Sequence, residues 1–377
     1  MKRLKVHLFV GVVAAVLLAL LLAPAVAQAQ AAWSVVPSPS PGPSVNDLNG
    51  VASISANDVW AAGDFINASG ASQTLIEHWN GTQWSIVASP NPSAFHNVLR
   101  GVTAISTNDV WAVGWFNNAQ DIPRTLIEHW NGSSWSVVTS PNGSKGSNFL
   151  FGVTAVSSTD VWAVGEFNNT STLTEHWNGH TWRVVSSPNG GTRDNVLNGV
   201  TAVSATDVWA VGDFLDSTST SHTLIEHWNG KKWSVVASQN PVTGSNTLNA
   251  VQAVSASDVW AVGQTSTQTL IEQWNGTQWS VVASPNLTGN NLLRGVAIVS
   301  ASDIWTVGFV ISSVGEQTLI EQWNGSSWSI VSSPNPSSLQ NILDAAAADP
   351  SSGQAWAVGN FVNDTTSVQQ TLTEFNP

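Results

Sequence analysis

From residue 46 to the end of the chain, apolar and polar positions follow one pattern that returns roughly every fifty residues. In one copy, Gly101-Val102-Thr103-Ala104-Ile105 reads as a first strand, and a short turn holding Asn108-Asp109 follows it. Val110-Trp111-Ala112-Val113-Gly114 is apolar at nearly every position, as expected of a strand covered on both faces. A third strand from Thr125 to Trp130 runs into Asn131-Gly132, the strongest two-residue hairpin signal. The fourth, Trp135-Ser136-Val137-Val138, ends at Ser140-Pro141-Asn142, where Pro suits an edge or exit position. Each unit is thus predicted to hold four antiparallel strands. No segment shows a 3.6-residue apolar period, which excludes a helical solenoid.

The copies are easily located by tryptophan. The second-strand Trp recurs at 60, 111, 162, 209, 260, 305 and 356. The third-strand string ends in Trp79, Trp130, Trp177, Trp228, Trp274 and Trp323, and the fourth begins at Trp84, Trp135, Trp182, Trp233, Trp279 and Trp328. Four antiparallel strands at this period make one propeller blade, so the fold class is an all-β, seven-bladed β-propeller. The last unit stops at Glu374-Phe375-Asn376-Pro377 and lacks a fourth strand. Near the other end, Trp33-Ser34-Val35-Val36-Pro37-Ser38-Pro39 repeats the fourth-strand string. Pairing that N-terminal strand into the last blade closes the ring and leaves no open edge. The predicted blades span about 46–92, 93–143, 144–191, 192–242, 243–287, 288–337, and 338–377 plus 31–40, within a single domain over 30–377.

A hydrophobic run ending in Gly and a later Trp that opens the last strand are the features through which the chain resembles kelch-like propellers. That group includes the central domain of the galactose oxidase family. Here the features are Val-Trp-Ala-Val-Gly and the Trp84-type position, and the likeness covers essentially all of 31–377. The kelch double Gly is a single Gly (Gly63, Gly114, Gly165), so the resemblance is to a Trp-rich bacterial secreted variant of that repeat. The resemblance implies the propeller architecture. Galactose oxidase-like chemistry would need a Tyr–Cys copper centre, and the chain has no Tyr and no Cys.

Composition adds a compartment. Lys2, Arg3 and Lys5 precede an unbroken apolar run from Leu8 to Leu22, and the small-residue sites Ala25-Val26-Ala27 and Ala27-Gln28-Ala29 follow Pro24. This is the layout of a secretory signal peptide over residues 1–29, too short to span a bilayer, and a secreted, extracellular protein is expected. Its removal leaves eight Lys plus Arg against twenty-four Asp plus Glu, a formal charge of −16. The only basic pair is Lys231-Lys232, so neither nucleic acid nor an anionic membrane is an expected partner. Without Cys there are no disulfides, and packing alone must hold the fold.

Repeated polar residues point to architecture. Each unit carries a third-strand Glu (77, 128, 175, 226, 272, 321, 374), and six carry an Asp before the second-strand Trp (58, 109, 160, 207, 258, 303). Seven equivalent carboxylates around a circle do not converge on one ion, so no metal or cofactor is expected. The Asp residues sit in tight turns where a carboxylate commonly accepts backbone N–H bonds. His78, His129, His176 and His227 follow the Glu, but Gln273, Gln322 and Phe375 replace them elsewhere, which argues against catalysis. No catalytic residue is assigned: a sialidase-like Tyr and Arg cluster is absent, as are Gly-x-Ser-x-Gly and His-Glu-x-x-His strings.

Strand direction sends the second-to-third and fourth-to-first connections to one face, and nearly all variation between copies falls there. The position after the second-strand Gly is the most diverse: Asp64, Trp115, Glu166, Asp213, Gln264, Phe309 and Asn360. These are the candidate ligand-binding residues, with Trp115 the one Trp outside the repeat positions. An aromatic beside carboxylates and amides suits sugar recognition. The expected function is a non-enzymatic, monomeric binding or adhesion module for glycans or a cell-surface protein. The alternatives are a carbohydrate-active enzyme with carboxylates on the same face and a purely structural surface protein.

Overall fold

The computed structural model describes residues 32–377; the expected signal peptide, residues 1–29, lies outside them. Twenty-eight strands form seven four-stranded antiparallel sheets, the blades of a β-propeller, and no helix occurs among the described residues. Blade 1 spans 46–86, blade 2 97–137, blade 3 148–185, blade 4 193–236, blade 5 246–281 and blade 6 290–331. Blade 7 joins 341–376 to the two-residue strand Ser34–Val35.

The ring closes as the end strings require. Ser34 pairs with Phe375 and Val35 with Glu374, and the Val36 N–H donates to the Thr373 carbonyl at 2.9 Å. Trp33 is 4% exposed and meets Trp305 of blade 6 edge-on at 5.4 Å. The same contact holds the other blades together. Trp60 of blade 1, for instance, packs between Trp130 (5.1 Å) and Trp135 (5.5 Å) of blade 2. Rings at these separations and angles bury large apolar area and keep favourable edge-to-face geometry.

The inner strands are longer than the apolar pattern predicts. In blade 2 the inner strand is Asn97–Ser106, starting four residues before Gly101. Its first residue explains the extension. The fully buried Asn97 amide donates to the Ser93 and Ser72 carbonyls, and its Oδ1 accepts the Ser93 N–H. Asn46, Asn148, Asn195, Asn246, Asn291 and Asn341 are buried at the equivalent places. Each such side chain ties the incoming loop to its neighbours, so the backbone enters the sheet early.

Next comes a Leu (48, 99, 150, 197, 248, 293, 343), with no exposure in any blade. After it every inner strand slips register: Leu99 pairs with Gly114, but Gly101 pairs with Val113. Arg100 is the extra residue of this β-bulge, and all seven blades repeat the slip. A bulge leaves one residue off the ladder and re-aims its side chain. The single Gly of the repeat has a matching cause: a Cβ on Gly114 would lie 2.0 Å from the Val98 carbonyl oxygen.

The turn carboxylates differ from expectation. Asp58, Asp109, Asp160 and Asp207 each accept a 2.8 Å hydrogen bond from the imidazole Nε2 of His78, His129, His176 and His227. A side-chain donor across the ladder takes the place of the expected backbone N–H. Gln273 and Gln322 put an amide N–H in the same position, on Asp258 and Asp303. In blade 7 the pair changes together, to Gln354 and Phe375, and Phe375 packs on Trp356 at 4.7 Å.

Candidate functional site

The inner strands surround a central channel whose two mouths have different chemistry. One mouth is lined by small and uncharged side chains such as Ser53, Thr103, Thr154, Thr201, Ala253 and Ser300. The other holds a cavity of about 420 Å³ that the bulge residues line from all seven blades: Asn49, Arg100, Phe151, Asn198, Asn249, Arg294 and Asp344. This is a usual size for a small-ligand site. It opens where the second-to-third and fourth-to-first connections meet. Arg124, at the start of the third strand of blade 2, for example, donates to the Ser144, Lys145 and Gly146 carbonyls of a fourth-to-first connection.

The seven residues expected from the sequence lie one step outward from the bulge ring, on the second strands. Of the seven only Gln264 lines the cavity, and their exposure is uneven. Asp64, Phe309 and Asn360 are buried, whereas Trp115, Glu166, Asp213 and Gln264 are half-buried. Phe309 is 4% exposed and lies under the Arg294 guanidinium at 5.0 Å, so it presents no open face. The bulge ring itself is the part that the strand pattern did not reveal. Its signal is present in the sequence: within the repeated string Asn-x-Leu-x-Gly, the residue after Leu is Asn, Arg, Phe or Asp while the Asn and Leu beside it are the same in every copy.

Bulge and second-strand residues are matched within each blade, with one exception. Asn49 reaches Asp64 at 3.5 Å, Asn249 donates to Gln264 at 3.1 Å, and Asn360 donates to Asp344 at 3.5 Å. Asn198 hydrogen-bonds Asp213, which also accepts from Ser221 at 2.6 Å. The two arginines each lie over an aromatic ring of their own blade, Arg100 on Trp115 (5.2 Å) and Arg294 on Phe309. Blade 3 departs from this scheme, because Phe151 has no polar group to offer Glu166.

Two sectors of the mouth carry most of the chemistry. Across blades 7 and 1, Asp47, Asp64 and Asp344 cluster around Arg100 and Arg294. Burial, then the Asp64 and Asp344 charges, pushes Asp47 up to about 7, against the pull of Arg100 and Gln369. Burial raises Asp64 to about 6, with Arg100 and the hydrogen bonds from Asn49 and Ser72 opposing it. Asp344 is raised by burial and restrained by Arg294, which binds it at 2.6 Å. Across blades 2 and 3 the Trp115 ring meets Phe149 (5.2 Å) and Phe151 (6.2 Å) edge-on, and the two Phe rings stack at 6.1 Å. Beside this aromatic wall, burial and the charges of Asp194 and Asp213 raise Glu166 to about 7.

The sequence matches no protein-family profile and no curated protein. Solved structures do match over almost the whole chain. One is U3-55K, at 9% identity over 92% of this chain and 98% of that one, with a TM-score of 0.61. A second is YCF48 bound to a D1 peptide, at 12% identity over 92% and 95%, with a TM-score of 0.55. A third is a polysaccharide lyase, the PL25 ulvan lyase bound to -[GlcA(1-4)Rha3S]-, at 11% identity over 91% and 94%, with a TM-score of 0.52. Similarity at this level of identity shows a shared propeller fold.

Proposed function

We propose that this protein is an exported binding propeller of the kelch-like kind that recognises a glycan, free or on a cell surface, at the charged mouth of its channel. The observation that carries this reading is the bulge ring. Seven positions freed from the strand ladder hold two Arg, three Asn, one Phe and one Asp around one cavity, while the opposite mouth has no charge among its lining residues. Side chains with no ladder or core duty have been varied at one end only. Amides and carboxylates supply partners for hydroxyl groups, and the aromatic wall supplies a surface for the apolar face of a sugar ring. Among proteins sharing the fold, the ulvan lyase structure contains an oligosaccharide and that of YCF48 a peptide. Export rests on the composition of residues 1–29.

The test is a glycan array with the protein lacking residues 1–29, followed by calorimetry on the strongest hit. Phe151→Ala is expected to weaken that binding about ten-fold or more, while Thr154→Ala, at the opposite mouth, leaves it unchanged. A blank array, or equal effects of the two variants, would overturn the reading.

A second reading has its own observation. Asp47 and Asp64, held near 7 and 6 by burial, are in the range of general acids and bases at neutral pH. If the site cleaves its glycan, incubation with the array hit produces new reducing ends, and Asp64→Asn abolishes them.

A further inference from the structure

The matched pairs leave one sector of the mouth with unused recognition chemistry. In six blades the second-strand side chain is engaged by the bulge residue of its own blade, through a hydrogen bond or a guanidinium–ring contact. Glu166 of blade 3 has no hydrogen-bond donor among the described residues, and the side chain beside it on the bulge is Phe151. Its Cα partner across the ladder is Phe149, whose ring stacks on Phe151 and touches Trp115. The charged groups that act on Glu166 are the carboxylates of Asp194 and Asp213, with no arginine among them. The carboxylates of blades 7 and 1 are differently placed. Asp344 has Arg294, Asp47 has Gln369 and Arg100, and Asp64 has Asn49 and Arg100.

We propose that the ligand is read chiefly at the sector of blades 3 and 4, and that the sugar unit bound there carries a free amine. This rests on the glycan-binding reading and narrows it. An ammonium group brings the donors that Glu166 lacks and a charge opposite to that of its neighbours. The ring to which it is attached lies against Phe151 and Phe149, where apolar C–H groups and a nearby cation both interact favourably with aromatic faces. An N-acetylated unit keeps the apolar face but loses the charge. A uronic acid or sulfated unit brings like charge to Asp194, Asp213 and Glu166 and is disfavoured.

The experiment compares two probes by calorimetry at pH 7: a β-1,4-linked glucosamine tetramer and its fully N-acetylated counterpart. Wild-type protein is expected to bind the amine form about ten-fold more tightly. Glu166→Gln should bring the two affinities to within about two-fold, by weakening only the amine form. Phe151→Leu should weaken both probes, and thermal melting of each variant verifies its fold. Equal affinities in the wild type, or a preference that survives in Glu166→Gln, overturns the amine inference. If neither probe binds while the array yields another glycan, the inference falls and the mouth reading stands. If no glycan binds at all, both fall.

Discussion

The exchange of His78 for Gln273 and Gln322 in equivalent blades has a simple physical meaning. What each blade needs is an N–H donor aimed at the Asp carboxylate, and imidazole Nε2 and an amide both provide it. His78→Gln is therefore expected to change stability by less than ~0.5 kcal/mol. His78→Ala should cost ~1–3 kcal/mol, because the Asp58 carboxylate loses its donor; chemical denaturation of the two variants measures the difference. Sequence comparison between the copies argued against catalysis at these positions. It did not identify the partner, since the Asp–His contact crosses about twenty residues of chain. The concerted change to Gln354 and Phe375 in blade 7 was the sequence clue that the two positions belong together.

At the scale of the strand, the third-strand glutamates behave as one group. All seven are fully buried, and both carboxyl oxygens of Glu77, Glu175 and Glu226 lack a donor. Where partners exist they come from the preceding blade's exit, as Ser238 (3.0 Å) and the Gln239 N–H (3.4 Å) to Glu272 and Ser333 to Glu374 (2.8 Å). Burial raises Glu128, Glu321 and Glu374 to about 8, Glu226 to about 9 and Glu272 to about 7, and lifts Glu77 and Glu175 well above 4.5. The folded chain then holds more protons than the unfolded chain between about pH 4.5 and 9, so stability falls as pH rises through that window. The melting temperature is expected to be highest near pH 4–5 and to drop progressively towards pH 9. Replacing Glu77, Glu175 and Glu226 by Gln should flatten the decline; an unchanged slope would show that these carboxyls are not its source. Each strand was legible from its apolar run and turn residues. The inner-strand bulge was not, because Leu48 and Val51 read as core residues whether or not the chain slips register between them.

Across the whole molecule, the seventh blade is assembled from both ends of the described chain, and its edge depends on Trp33. Trp33→Ala is expected to cost ~3–5 kcal/mol, the usual loss for truncating a buried Trp. A chain beginning at Asn46 should melt well below one beginning at residue 30. An unchanged midpoint in the shortened chain would mean that the N-terminal strand adds nothing to the ring. Closure was legible because two incomplete repeats add up to one complete unit. The candidate site was legible only in part: comparing copies pointed to the variable face, but the residues that line the cavity lie mostly on the bulges.

The bulges also separate two kinds of inheritance. Asn and Leu in the string Asn-x-Leu-x-Gly are buried in all seven blades and tied to backbone geometry, and the last position is Gly or Ala. The fourth position is outside the ladder, so each duplicated copy can take a new side chain there while its frame is retained. Seven such positions face one opening, and their combinations form a large repertoire on a single stable body. A lineage of these proteins can change the chemistry of this mouth by point substitution without rebuilding a loop.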